Sequence, residues 1–153
     1  MSPVPERFRS VAALDAGRIL PLGDAHRALL ATSACNGSAV IVSVGGEVDA
    51  SNEDVWNNLL TKMAASAIAP GPFVVDVRGL RFMGSGGFVA LAREARRCRR
   101  RGVSLCLVSN QPVVARIVAA SGLRPLLSMH PTVEAALSAA TAEPSSQCAT
   151  VGR

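Results

Sequence analysis

The chain has 153 residues, 49% of them hydrophobic and 18% charged, which suits one globular domain and excludes an intrinsically disordered chain. Aromatic residues make up only 3%, so the core has to be built from Val, Leu, Ile and Ala, with Met as filler. The net charge of +5 rests on 16 basic residues of which Lys62 is the sole lysine, an arginine bias that reflects genome composition and is weak evidence about partners.

Residues 1–26 contain Pro3, Pro5 and Pro21 with irregular polarity and are expected to form a flexible extension. Arg27 to Ala34 and Ala39 to Val44 are apolar runs joined by Cys35-Asn-Gly-Ser38. Asn36-Gly37 is a hairpin signal, because both residues tolerate positive φ. Gly45-Gly46 is expected to take the chain out of the sheet. Ser51 with Asp54 three residues on resembles a capping arrangement. A helix follows, with Val55, Leu59 and Met63, joined by Trp56 and Leu60, on its apolar face. Pro70-Gly71-Pro72 ends it.

Phe73 to Val77 is apolar on both faces, as in a central strand covered on both sides. After a turn come four small residues, Gly84 to Gly87, and then a helix with Phe88, Leu91, Ala92, Ala95 and Cys98 on one face. Arg93, Arg96, Arg97, Arg100 and Arg101 mark the opposite face, and Gly102 closes the helix. Val103 to Val108 reads as a buried strand. Pro112 opens the next helix, and Ser121-Gly122 ends it. Leu126 to Met129 reads as a short strand, and Thr132 caps a final helix to about Ala140. Residues 141–153 are a polar tail, expected to be disordered. The fold expected over 27–140 is therefore α/β: a small mixed sheet with four or so helices, an opening hairpin followed by βαβαβα.

The passage from Phe82 through Gly87 is the best candidate site. A strand, a tight loop and a helix start gather free backbone N–H groups, a natural place for an anion or a partner to dock. The loop lacks the ending of a P-loop and is not GxGxxG, so nucleotide binding is a minor alternative. The glycines allow a tight turn and the close approach of another chain. Asp76 inside an apolar strand is expected to be a buried carboxylate satisfied by loop N–H groups. No neighbouring His or second acid suggests acid–base catalysis, so no enzyme activity is expected. The arginine run lacks interleaved aromatics, which favours a solvated face or an acidic protein partner over nucleic acid. Cys35, Cys98, Cys106 and Cys148 show no zinc spacing, so no metal or other cofactor is expected. Cys98 and Cys106 flank one helix–turn–strand unit and are a candidate redox pair. With no ~18-residue apolar run and no apolar leader after Met1, a cytoplasmic location without membrane insertion is expected.

In order and spacing the motifs resemble the STAS family of anti-sigma factor antagonists. Val42-Ser-Val-Gly-Gly-Glu-Val-Asp49 is similar to that family's strand ending in a Gly-x-Leu-Asp-like turn. Val74-Val-Asp-Val77 resembles its central strand. Phe82-Met-Gly-Ser-Gly-Gly-Phe88 resembles Phe-Met-Asp-Ser-Ser-Gly-Leu, its regulatory phosphoserine loop. Ser121-Gly-Leu123 and Val133-Glu-Ala-Ala-Leu137 resemble its closing motifs.

The resemblance implies a binding module. An unphosphorylated antagonist binds an anti-sigma factor that is itself a serine kinase and so releases a sigma factor. Phosphorylation of the loop serine adds ~1.5–2 negative charges and disrupts that association. The resemblance implies partner-binding roles for Asp49, Phe82, Met83, Gly84, Ser85, Gly86 and Gly87. The family's loop acid falls on Gly84 and its phosphoacceptor on Gly86, which has no hydroxyl. The antagonist is then constitutive or differently regulated. Ser85 is either a helix N-cap or an alternative phosphosite, and Asp49 either a partner contact or a cap. The alternative role is an accessory subunit of a lipid or anion transporter. The expected state is a monomer or weak homodimer.

Overall fold

The computed structural model of the chain describes residues 29–140. The extension and tail expected at 1–26 and 141–153 lie outside the described residues. Strand β1 (Leu30–Asn36) pairs antiparallel with β2 (Ala39–Val48). Helix α1 (Glu53–Ala65), strand β3 (Phe73–Met83), helix α2 (Ser85–Arg100), strand β4 (Leu105–Val108), helix α3 (Pro112–Ala120) and strand β5 (Ser128–His130) follow. A last helix, α4, is described from 133 to 140. The five strands lie in the order β1-β2-β3-β4-β5, with every pair after the hairpin parallel. This is the mixed sheet expected from the chain-order pattern, each parallel pair bridged by a helical crossover.

Alternation along the strands sends successive side chains to opposite faces. Val40, Val42 and Val44 of β2, Phe73, Val75 and Val77 of β3, and Leu105 and Leu107 of β4 join one large core with α1, α2 and α3. Ile41, Val74, Cys106 and Val108 face the other way and pack under Val133 and Ala136 of α4. Thr132 caps α4 as expected, its Oγ1 accepting the Ala135 N–H at 3.0 Å.

Two strands run further than their glycines suggested. β2 does not leave the sheet at Gly45, nor does β3 end at Val77. The two continue side by side to Val48 and Met83, with register shifts between Ser43 and Gly45 and between Gly46 and Glu47. Gly45 pairs with Gly79, and a Cβ on Gly79 would sit 2.8 Å from the Val44 carbonyl oxygen. These glycines carry two backbones past a bulge.

Smaller differences follow from tertiary packing. The hairpin pairs Asn36 with Ala39 and turns through Gly37, φ 66°, and Ser38. The apolar face of α1 centres on Trp56, Leu60, Met63 and Ala64, which are buried, with Val55 and Leu59 at its edge. β5 starts two residues later than expected, because Leu126 and Leu127 are held in a turn by hydrogen bonds to the Leu123 carbonyl.

Candidate functional site

The parallel ends of β2 and β3 place the candidate residues together. Val48 pairs with Met83, and the Gly84 N–H donates to the Val48 carbonyl oxygen at 2.9 Å. Asp49 therefore emerges beside the Gly84–Gly87 loop. Its Oδ1 accepts the Ser51 N–H at 2.9 Å and the Ser51 hydroxyl at 2.6 Å. Its own N–H donates to Asn52 Oδ1 at 2.9 Å. Asp49 thus shapes the turn that precedes α1. The cap position of that helix is Asn52, not Ser51, and Asn52 spends its side chain on the turn, donating to the Glu47 carbonyl at 2.8 Å.

At α2 the N-cap is Gly84, which has no side chain to cap with. Ser85 is the first helical residue and is exposed. The expectation that Ser85 itself caps the helix is corrected: the chain reaches helical geometry one residue earlier than the serine would need.

The glycines do not form an open lining. The space that a Cβ on Gly86 would take is filled by the Glu53 carboxylate. A Cβ on Gly87 would collide with Met83 and come within 3.2 Å of Val48 Cγ1. Trp56 Nε1 donates to the Gly87 carbonyl at 3.1 Å. Behind the loop the corner is therefore packed by the chain's own side chains. Its open side is the rim, where Phe82 is 53% and Val89 60% exposed. With Ser85 and Val89 four residues apart, and Arg93 four further on, the exposed stripe of α2 runs from the loop into the basic face.

The arginines divide by role. Arg93, Arg96 and Arg100 are exposed. Arg97 Nη1 donates at 2.8 Å to Glu94 Oε2, a buried carboxylate that also accepts the Thr61 hydroxyl at 2.6 Å. Arg101 reaches back to the Ala64 and Ala67 carbonyls at 2.9 and 2.7 Å, closing the end of α1. Its spacing from Leu91 and Cys98 puts Glu94 on the core side of the helix, where its charge alone would argue against burial; it is tolerated there because both its partners are in place.

Asp76 is buried, but its partner is not a loop. Its Oδ1 accepts the Arg78 N–H at 3.0 Å and Arg78 Nε at 2.9 Å, and its Oδ2 accepts Nη2 at 2.8 Å. The pair lines an open groove of about 690 Å³ on the second face of the sheet, with Thr32, Ser43 and Asn110. Both oxygens of the Asp76 carboxylate are thus engaged by the Arg78 guanidinium.

The proposed redox pair is not brought together. Cys98, on the buried face of α2, belongs to the large core, and Cys106 points to the opposite face under α4. The sheet stands between them, and neither is in a disulfide. Burial pushes the Cys98 thiol up to about 11; the Glu94 charge adds to the shift and Arg101 opposes it. Cys35 is exposed in the hairpin, and Cys148 lies outside the described residues. Among the described residues no three His, Cys, Asp or Glu side chains converge on a metal position, and no helix is long and apolar enough to cross a membrane.

A sequence model of the STAS domain matches residues 31–136. The chain is 53% identical over 123 residues to a Mycobacterium tuberculosis protein named anti-anti-sigma factor Rv2638, covering 80% of this chain and 83% of that one. It is also 53% identical over 112 residues to the anti-sigma-F factor antagonist RsfA of the same organism, covering 73% and 88%. Among solved structures, an anti-sigma factor antagonist from Mycobacterium paratuberculosis superposes with a TM-score of 0.67 at 22% identity, covering 80% of this chain and 99% of that one. The strand order, the loop at the start of α2 and the extent of these matches agree: the chain belongs to the STAS-domain family.

Proposed function

We propose that this protein is an anti-sigma factor antagonist, which acts by stoichiometric binding to an anti-sigma factor of the serine-kinase type and so frees a sigma factor. The observation that carries the reading is the exposed rim of Phe82, Ser85 and Val89 beside the α2 loop, in a chain whose relatives at 53% identity bear antagonist names. Two large apolar side chains over half exposed on one rim suit a protein contact. The basic stripe of Arg93 and Arg96 behind them suits an acidic partner surface. Asp49, Met83, Gly84, Gly86 and Gly87 shape the rim from behind.

Nothing at position 86 can accept a phosphate, so the antagonist is not switched there. Ser85 is the one hydroxyl on the rim, and it is the phosphosite we propose if the loop is modified at all. On this reading the protein works in the cytoplasm, as a monomer or weak homodimer, without nucleic acid and without catalysis of its own. The names of the 53% identical relatives favour this role over that of a transporter subunit.

The test is reconstitution. Full-length protein is titrated into purified complexes of a sigma factor with each kinase-type anti-sigma factor of the same cell. Sigma release at one equivalent supports the reading; no release and no binding by any of them rejects it. Intact mass after incubation with the binding kinase reports on Ser85, where a gain of one phosphate is expected if that residue is the acceptor.

A further inference from the structure

The loop at the start of α2 is short of a side chain at position 86, yet the space is not empty. Glu53, the first residue of α1, crosses the corner and lays its carboxylate where a Cβ on Gly86 would stand. α2 has no acidic residue in its own first turn. A helix N-terminus carries partial positive charge and favours an anion. Here that anion is supplied by a neighbouring helix. Glu53 is half-buried, so its carboxylate is packed into the corner and still partly open to solvent.

We propose that Glu53 is the resident acidic group of the docking corner: its carboxylate takes the space of a side chain at residue 86 and stands at the start of α2. The inference rests on the docking role proposed above. Its sign comes from the surroundings. The rim continues into exposed Arg93 and Arg96, which favour an acidic partner. A fixed carboxylate at the edge of such a contact opposes that partner by like-charge repulsion. Glu53 therefore sets the affinity below what the basic stripe alone would give.

Two experiments on the full-length chain separate this inference from the docking reading. The first uses calorimetry with the kinase-type anti-sigma factor that binds the wild-type chain. Glu53→Gln keeps the shape and removes the charge. It should bind about 3- to 10-fold more tightly than wild type at ~50 mM salt, the difference shrinking at ~500 mM as screening grows. Equal or weaker binding at low salt overturns the inference while leaving the docking role intact. The second needs no partner. Thermal melts of wild type, Glu53→Ala, Gly86→Ser and the double variant form a cycle. A serine at 86 must evict the carboxylate only where Glu53 is present. Gly86→Ser should therefore shift the melting temperature less favourably in the wild-type background than in the Glu53→Ala background. The same shift in both backgrounds shows that the two residues do not share the space, and rejects the inference even if no partner is found.

Discussion

The indole N–H of Trp56 reaches from α1 to the first turn of α2 and donates to the carbonyl oxygen of Gly87 at 3.1 Å. Trp56 is fully buried, so this bond is made out of contact with water and fixes the distance between the two helix starts. The docking rim is built on that distance. Trp56→Phe keeps an aromatic ring but removes the donor and part of the volume. We expect a loss of about 1–3 kcal/mol, read as a lower urea midpoint with an unchanged slope. Partner affinity should fall as well, because the loop loses one of its anchors. An unchanged midpoint would show that the bond holds nothing in place.

Glu94 ties the same two helices further along. Its carboxylate accepts from Thr61 on α1 and from Arg97 on α2. Glu94→Ala removes the acceptor of both and opens space in the core. A loss of about 1–3 kcal/mol is expected. In a cycle with Thr61→Val, the combined loss should be less than the sum of the single losses, since the same contact is removed twice. Strict additivity would argue that the Thr61 bond contributes nothing.

Phe88, Leu91, Ala92, Ala95 and Cys98 announce a helix face by spacing alone, and they are buried in the structure. Glu94 shares that face without announcing it, because its burial depends on Thr61, 33 residues earlier in the chain. Gly45 misleads in the same way. Beside Gly46 it looks like a turn, and only its pairing with Gly79 in the adjacent strand shows it to be a close approach. The candidate loop was legible as a strand–loop–helix junction. Its filling by Glu53 and Met83 was not, since both contacts are made across the fold.

Cys98 gives a prediction about pH. Its thiol is pushed up to about 11 from an ordinary 9.0, with burial as the largest cause. The folded state therefore holds the proton where the unfolded state gives it up. Between about 9 and about 11 the unfolded chain binds fewer protons, so stability falls as pH rises through that window and is fully kept below it. The loss should grow steadily toward the upper end of that window. Urea titrations at pH 8, 9, 10 and 11 would show it, and Cys98→Ala should flatten the curve. An equally steep fall in that variant would assign the loss to other groups. Under native conditions at neutral pH, a thiol reagent should label Cys35 and spare Cys98 and Cys106 until the protein unfolds, since only the first is exposed.

The central claim is that the outer rim of the α2 loop is the face a partner grips. Val89 tests it most directly, because it is 60% exposed on a well-formed helix and contributes little to the core. The measurement is calorimetric titration of wild type and Val89→Asp against a purified kinase-type anti-sigma factor, alongside their thermal melts. We predict one-to-one binding by wild type and a loss of at least about tenfold in affinity for Val89→Asp, with melting temperatures that agree within about 2 °C. Equal affinity for the two proteins would contradict the account.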